Sequence, residues 1–582
     1  MANKYIDDFL STLKNRYNLD SKSMSWGDWI CANTRMKGRP FTFDRYPFQK
    51  QIADDPHPNL DCIKPSQVGL SEVQIRKSLC FLARNRGTTL IFTLPNEKMF
   101  KRMSQTRIMP LVEEEKAFNL DGYDKPTRSM GLMQINDSYL YVTGSTEGDA
   151  TSISADAVMN DEVDLTDQSM LALFNSRLQN SDHKINQRFS TPTFHNYGVD
   201  QGYQASDQHE YMIKCQCCNH WQVPVFTRDF VHIPGLPDEV EALHQIDDKM
   251  IDDYSLDLIN ASVNCEKCHM PLDLSASEYR EWVPKFPSRT HARGYRVRPF
   301  STHRLSVEYI VSQLLRYKRK DFLRGWYNTV LGEPYTDGNA RLSDVDIEAC
   351  FTGLAMPTAG NGWEPAYIGL DMGQTCHLTV GVGTDVNNIT AVVFEAIPVD
   401  RLAQRIEDVL HTYNVIGGMV DRHPYTPTSK ALFALSGGRI LPAEYRGSKE
   451  INIIEEADGE HKYCQVNRTM LLDEVARVVR NHRIKFSGYG MQKGIIAEHL
   501  KDMVRDEQPE KEAQWVKLTG NDHYFHSLGF MLSAVKLSVG RYGSNAEHRQ
   551  MVGLVGADIG GASEINIYGS KKFNRGGMIY GG

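Results

Sequence analysis

The chain has 582 residues, 41% of them hydrophobic and 24% charged, with a net charge of −8. That composition describes an ordinary globular protein of about three or four domains. It argues against a protein that simply coats DNA, and no apolar run approaches the ~18 residues of a membrane span. The acidic start, Met1 to Asp8, lacks a secretory apolar segment, so no export is expected. In such a chain the two C-x-x-C pairs among eleven cysteines favour metal over disulfides.

Residues 1–40 read as a helical lead-in and 41–209 as an α/β core. Within that core, strands are predicted at Asp61–Lys64, Thr88–Thr93, Leu140–Thr143, Ala157–Asn160 and Arg188–Ser190. Residues 210–300 carry the cysteine pairs around an acidic insertion, Asp238–Leu258, expected to be helical. Residues 301–352 read as a helical lid or connector, 353–362 as a linker, 363–545 as a second α/β unit, and 546–582 as a flexible glycine-rich tail.

Lys64-Pro65-Ser66-Gln67-Val68-Gly69-Leu70-Ser71 follows a predicted strand and precedes a helix predicted over Ser71–Leu82. It departs from the phosphate-loop pattern G-x-x-x-x-G-K-[ST] at two positions. Lys64 stands where the first glycine belongs, and Leu70 fills the lysine slot. Small residues there let backbone N–H groups converge on phosphate, and Ser71 suits a magnesium ion. Asp161 and Glu162 end a predicted strand; Asp161 suits the magnesium shell and Glu162 the attacking water. Ser190-Thr191-Pro192-Thr193 follows another strand, where hydroxyls could sense the terminal phosphate. The arginine needed to stabilise the transferred phosphoryl group is Arg177, Arg107 or Arg76.

Cys215-x-x-Cys218 and Cys265-x-x-Cys268 can bring four thiolates to one tetrahedral, structural zinc, with Asn219 and His269 suited to the knuckle turns. Cys217, His220 and His269 are rival ligands. In the second unit, Tyr367–Asp371 and Ile416–Asp421 are apolar strands ending in aspartate. Asp522 opens an apolar helix predicted over Tyr524–Leu537. Carboxylates converging from such elements can hold two magnesium or manganese ions, as in an RNase H-like nuclease. Glu395 is a possible fourth acid, and His523 and His526 could assist. Arg45, Lys77, Lys98, Lys101, Arg102 and the run Arg316–Lys320 are candidates for DNA phosphate contact.

Together these motifs resemble the large terminase subunit of tailed bacteriophages, closest to the lambda-type branch. Lys64–Glu72, Asp161–Asp164 and Ser190–Thr193 carry the likeness. So do Leu94-Pro95, Arg107–Pro110, Gly144-Ser145, Ser206-Asp207, Cys215–Cys218 and Asn328–Tyr335, across residues 40–540. The resemblance implies an N-terminal phosphate-loop ATPase with a zinc-knuckle insertion and a C-terminal RNase H-like nuclease at Asp371, Asp421 and Asp522. It implies ATP bound through Tyr46, Gln49, Lys64, Ser66, Gln67, Val68, Gly69, Leu70, Ser71, Asp161 and Arg177, with Glu162 catalytic.

Its cofactors would be ATP, Mg2+ (or Mn2+) and structural Zn2+. Its partners would be double-stranded DNA, a small terminase subunit and the portal protein, with a homo-pentamer on the portal and no membrane. The expected location is the host cytoplasm, transiently on the procapsid and not in the mature virion. A different class stays open: an RNase H-like nuclease or resolvase whose nucleotide-binding domain does not hydrolyse, which Leu70 supports.

Overall fold

The computed structural model describes residues 23–120, 126–145, 148, 153–336, 340–357, 363–456, 461–507 and 512–542. The glycine-rich tail, most of the lead-in and part of the linker lie outside them. The chain divides into two compact units, Met1–Ser343 with Lys501–Asn521, and Asp344–Leu500 with Asp522–Gly582. No helix among the described residues is long and apolar enough to cross a membrane.

The first unit is built on a ten-stranded sheet. Its elements are β1 (Asn59–Ile63), α1 (Leu70–Arg84), β2 (Thr89–Thr93), β3 (Leu132–Ile135), β4 (Ser138–Thr143), β5 (Ala157–Asp161), β6 (Ile185–Ser190), α2 (Gly198–Ala205), β7 (His209–Lys214), β8 (Trp221–Gln222), β9 (Arg280–Pro284) and β10 (Arg293–Arg296). The order is β8-β7-β10-β1-β6-β5-β2-β4-β3, with β9 also on β7. From β7 to β4 every pairing is parallel, and β3, β8 and β9 add antiparallel edges. Leu60 to Ile63 and all of β5 are buried, as central parallel strands require. All five predicted strands are present, each within three residues of its expected start.

The acidic insertion is mostly irregular, with one short helix at Asp248–Asp253. Its Leu243 and Ile246 join a single core with Phe226, Phe230, Phe300 and Trp326 and with α3 (Val307–Lys318). Packing of isolated apolar residues thus replaces the expected helix. Lys318 donates to the carbonyls of His244, Gln245 and Ile246, 3.0 Å each, and Arg319 pairs with Asp248. Both are tied up in holding the insertion rather than free for phosphate. Lys501–Asn521, which the sequence reading placed in the second half, forms a hairpin, Met503–Asp506 against Gln514–Lys517. Its Val504 and Leu518 pack with Phe194 and Tyr197 of the first unit.

The second unit holds an eight-stranded sheet: β11 (Pro365–Asp371), β12 (Thr375–Asp385), β13 (Asn388–Pro398), β14 (Asn414–Asp421), β15 (Ile440–Tyr445), β16 (Ile451–Glu455), β17 (Lys462–Val466) and β18 (Ile484–Phe486). The order is β16-β17-β15-β14-β11-β12-β13-β18. β11, β12 and β13 form an antiparallel meander, while β14 and β15 run parallel to β11.

One long helix, α4 (His523–Tyr542), lies across it. The sheet makes room with glycines. A methyl on Gly369 would come within 1.8 Å of the Ser527 carbonyl, one on Gly381 within 2.4 Å of Met531 Sδ, and one on Gly417 within 2.8 Å of Ser538 Oγ. Three strands therefore share a groove that only glycine leaves open. Thr379 and Ser527 bond through their hydroxyls at 2.6 Å inside it.

Candidate functional sites

The first site lies at the carboxyl ends of β1 and β5. Their pairing through β6 puts Lys64 beside the acidic pair, 2.7 Å from Glu162 and 3.7 Å from Asp161. Burial disfavours the Lys64 ammonium, yet Asp161 and Glu162 outweigh it and hold the group above its ordinary range. Burial also raises Asp161, with Lys64 and the Ser71 hydroxyl opposing. One Asp161 oxygen, Oδ2, is buried with no hydrogen-bond partner. An orphaned carboxylate oxygen beside a serine hydroxyl fits a hard divalent cation.

The loop between takes left-handed backbone at Gln67 (φ 64°) and Gly69 (φ 77°), and Gly69 caps α1. Gln49 Nε2 donates to the Val68 carbonyl at 2.6 Å. Leu70 is 1% exposed and belongs to the core, so the lysine slot of the usual motif contributes packing here. A cavity of about 410 Å3 opens beside Ser66, Gln67 and Val68, lined also by Tyr46, Arg45, Arg304, Tyr309, Gln313 and Thr329. The guanidiniums of Arg45 and Arg304 lie 5.7 and 6.0 Å from the Tyr46 ring. Arg45 therefore faces this cavity, where the sequence suggested DNA. Arg304, Tyr309 and Gln313 went unremarked in the sequence because only folding brings them to the loop.

Ser190 and Thr193 are bonded within the protein. Asp164, one turn past the acidic pair, accepts from Thr193 N (2.8 Å), Thr193 Oγ (2.9 Å) and Val199 N (2.8 Å). Its own N–H donates to Ser190 Oγ, and the Lys64 N–H donates to the Ser190 carbonyl. Asp164 is buried, and burial pushes its carboxyl to about 7 against those hydrogen bonds. Asp161–Asp164 and Ser190–Thr193 thus form one bonded assembly.

Arg76 is 3% exposed, paired with Glu72 and bonded to the Arg35 carbonyl, which leaves it no path to a phosphate. Arg107 lies 3.5 Å from Glu72, and Arg177 donates to Ser176 Oγ. Lys77, fully buried, donates to the carbonyls of Ile52 and Asp55 and is no DNA contact.

The four expected cysteines converge, with Cys215–Cys268 and Cys218–Cys265 sulfurs both 3.6 Å apart. Sulfurs ~2.3 Å from a tetrahedral zinc stand about 3.8 Å from each other, so the spacing fits the ion. Each knuckle turns through one left-handed residue, Asn219 (φ 60°) or His269 (φ 56°). Cys217 is exposed and His220 pairs with Glu266, so the rival ligands stand aside.

In the second unit Asp371 and Asp421 end adjacent parallel strands, and Leu370 aligns with Val420. Burial raises the Asp421 carboxyl to about 7, and the Asp371 charge adds to it. Asp522 precedes α4 and is 7% exposed. His526 Nε2 lies 3.2 Å from it, and Tyr445 OH lies 2.5 Å from the other His526 nitrogen. His523 Nδ1 lies 2.8 Å from Asp371 Oδ2. Glu395 pairs with Arg405 at 2.8 Å, which marks it as a surface ion pair. His377 and Tyr445 went unremarked in the sequence; the signal for His377 was its place opposite Asp371 in the hairpin.

The chain thus carries a parallel-sheet unit with a phosphate-type loop and a second mixed-sheet unit with aspartates at adjacent strand ends. Residues 35–279 match the family model described as phage terminase large subunit gpA, ATPase domain. No curated protein matches the sequence. The fold is similar to the large terminase of bacteriophage HK97, at 11% identity over 88% of this chain and 99% of that one, with TM-score 0.50. Two further similar structures are the large terminase of a thermophilic bacteriophage in complex with ATP-gamma-S and the large terminase nuclease of the thermophilic phage G20c with bound magnesium. The first has 12% identity over 82% of this chain and 94% of that one, TM-score 0.27. The second has 12% identity over 34% and 98%, TM-score 0.23. Residues 35–279 thus match the ATPase domain of a phage terminase large subunit family, and the fold as a whole is similar to that of a solved large terminase.

Proposed function

We propose that the protein hydrolyses ATP to drive double-stranded DNA into a procapsid and cuts concatemeric viral DNA with its second unit. The observation that carries the reading is the meeting of Lys64, Ser71, Asp161 and Glu162 at one sheet end, with Asp371 and Asp421 side by side at the end of another. Lys64 would bind phosphate oxygens from the entry side of the loop. Asp161 and Ser71 would hold Mg2+, which supplies charge neutralisation when bound. Glu162 would orient and deprotonate the attacking water. The cavity beside Tyr46 and Gln49 would take the base and ribose. Asp164 would carry the change at Glu162 to Ser190–Thr193.

In the second unit Asp371, Asp421 and Asp522 would hold divalent ions that activate water for strand cleavage. Four thiolates at Cys215, Cys218, Cys265 and Cys268 would hold a structural Zn2+. Arg177, donated by this or a neighbouring subunit, is the proposed transition-state arginine. A small terminase subunit selecting DNA, a portal, a homo-pentamer on it, and action in the host cytoplasm complete the proposal through the family. Lys64→Ala should abolish DNA-stimulated ATP hydrolysis, and Asp371→Ala should abolish metal-dependent plasmid cutting. Unchanged hydrolysis in Lys64→Ala would remove the motor.

A further inference from the structure

The segment Asn328–Tyr335 lies against both the phosphate loop and the Ser190–Thr193 turn. Its backbone explains the first contact. Tyr327–Leu331 is a π-helical turn that ends at Gly332 in left-handed backbone (φ 65°). An α-helix would give the Glu333 N–H to the Thr329 carbonyl, but here it goes to Tyr327 at 3.0 Å. Pro334 has no N–H to offer in its place. The Thr329 carbonyl is thus left over by the helix, and Ser66 N of the phosphate loop donates to it at 2.8 Å. Gly332 follows so closely that a methyl there would come within 2.8 Å of the Pro65 nitrogen.

Asn328 makes the second contact. It is 6% exposed, and its Nδ2 donates to the carbonyls of Thr193 (2.9 Å) and Glu333 (2.8 Å). Both partners are acceptors, so the amide must present its nitrogen here. The Tyr335 N–H reaches the same Thr193 carbonyl at 3.0 Å. Asp164 holds Thr193 from the other side, and Asp164 stands two residues after Glu162. The segment is itself firmly rooted. Trp326, Val330 and Leu331 are buried in the core that contains Cys215 and Cys265, and Glu333 pairs with Arg298 at 3.1 Å.

We infer that Asn328 is a positioning residue for ATP hydrolysis. With the Thr329 carbonyl and the Tyr335 N–H it clamps the phosphate loop and the Thr193 turn in one register, which fixes how Lys64 and Glu162 stand to a bound nucleotide. The inference rests on the ATPase reading and adds the residues that set its geometry.

Steady-state ATPase of the full-length protein, beside binding of a fluorescent ADP analogue, tests it. Asn328→Asp keeps the side chain's shape but turns oxygens toward two carbonyls, and Asn328→Ala removes both donors. Each should lower kcat ~100-fold, as a displacement of about 1 Å at a reacting group does, with KM changed less than about threefold. Gly332→Ala presses on the loop end instead, so KM should rise ~tenfold with a smaller fall in kcat. Hydrogen exchange of the wild type needs no variant. Mg2+ with a non-hydrolysable ATP analogue should slow exchange in peptides covering 331–335 as well as in the loop. Asn328 variants that bind the ADP analogue and turn over ATP at the wild-type rate overturn this inference alone. So does a loss of affinity equal to the loss of turnover, which marks a merely structural role. Unchanged exchange across 331–335 while the loop gains protection also overturns it, and decides the matter if the variants do not fold. If Lys64→Ala hydrolyses ATP as the wild type does, the ATPase reading itself fails.

Discussion

The two sites use buried carboxylates in opposite settings. At the first, the acids face a cation supplied by the chain: Lys64 sits between Asp161 and Glu162, 6% exposed at its side chain. At the second, Asp421 and Asp371 repel each other and their neighbours are imidazoles. Lys64 answers the acids before any ligand arrives, so the first site is pre-organised for charge. The second becomes electrostatically reasonable once a metal enters. One is therefore expected to respond mainly to side-chain removal and the other to metal identity.

The sharpest test of this contrast is a pair of substitutions. Glu162→Gln should lower the turnover number for ATP by ~100- to 10,000-fold, as loss of a general base does, with little change in KM and with plasmid cutting intact. Asp421→Asn should do the reverse, and steady-state ATPase beside plasmid nicking reads both. If either substitution abolishes both activities, the sites are not separable in this way. Next in size, Lys64→Met leaves the buried Asp161 and the half-buried Glu162 unanswered. Thermal or urea unfolding should show the first unit weakened by about 3–5 kcal/mol, a loss that added Mg2+ partly restores. The matching change at the second site, Asp371→Asn, should stabilise the metal-free protein by relieving repulsion.

Gly369→Ala probes the groove under α4. The added methyl meets the Ser527 carbonyl backbone, so about 1–3 kcal/mol of stability should go. Displaced His523 and Asp522 should cost nuclease activity while ATP hydrolysis persists. The smallest effect is a pH dependence. Burial holds Asp164 at about 7, above its unfolded value near 4, so the folded state keeps the proton longer. Its contribution to stability is fullest below the unfolded pKa and declines as pH rises through about 7. Asp164→Asn should flatten that slope in denaturation curves between pH 5 and pH 8, and ATP turnover should fall as the Thr193 hydrogen bonds weaken.

Much of the first site was legible because its parts are local. A strand, a loop of small residues and a helix are consecutive, and strand-terminal Asp161-Glu162 needs no partner to be noticed. The cysteine knuckles were legible for the same reason. The insertion between them misled because acidic, apolar-dotted sequence suits a helix. Its Leu243 and Ile246 gain more by packing on α3 and Trp326. Lys77 read as a DNA contact and Arg76 as a candidate transition-state arginine, yet both are buried with carbonyl or carboxylate partners, which charge alone does not reveal.

The sequence by itself determined the two α/β units, the phosphate loop with its early lysine, the four sulfurs and the aspartates at strand ends. Alternation, strand length and short-range spacing encode these directly. Only the tertiary structure decided that Lys64 meets Glu162, that Asp164 joins two motifs, that Lys501–Asn521 packs with the first unit, and that two histidines share Asp371's corner. Those pairings join residues far apart in the chain. They depend on parallel-strand register and on three glycines that let one helix descend onto its sheet.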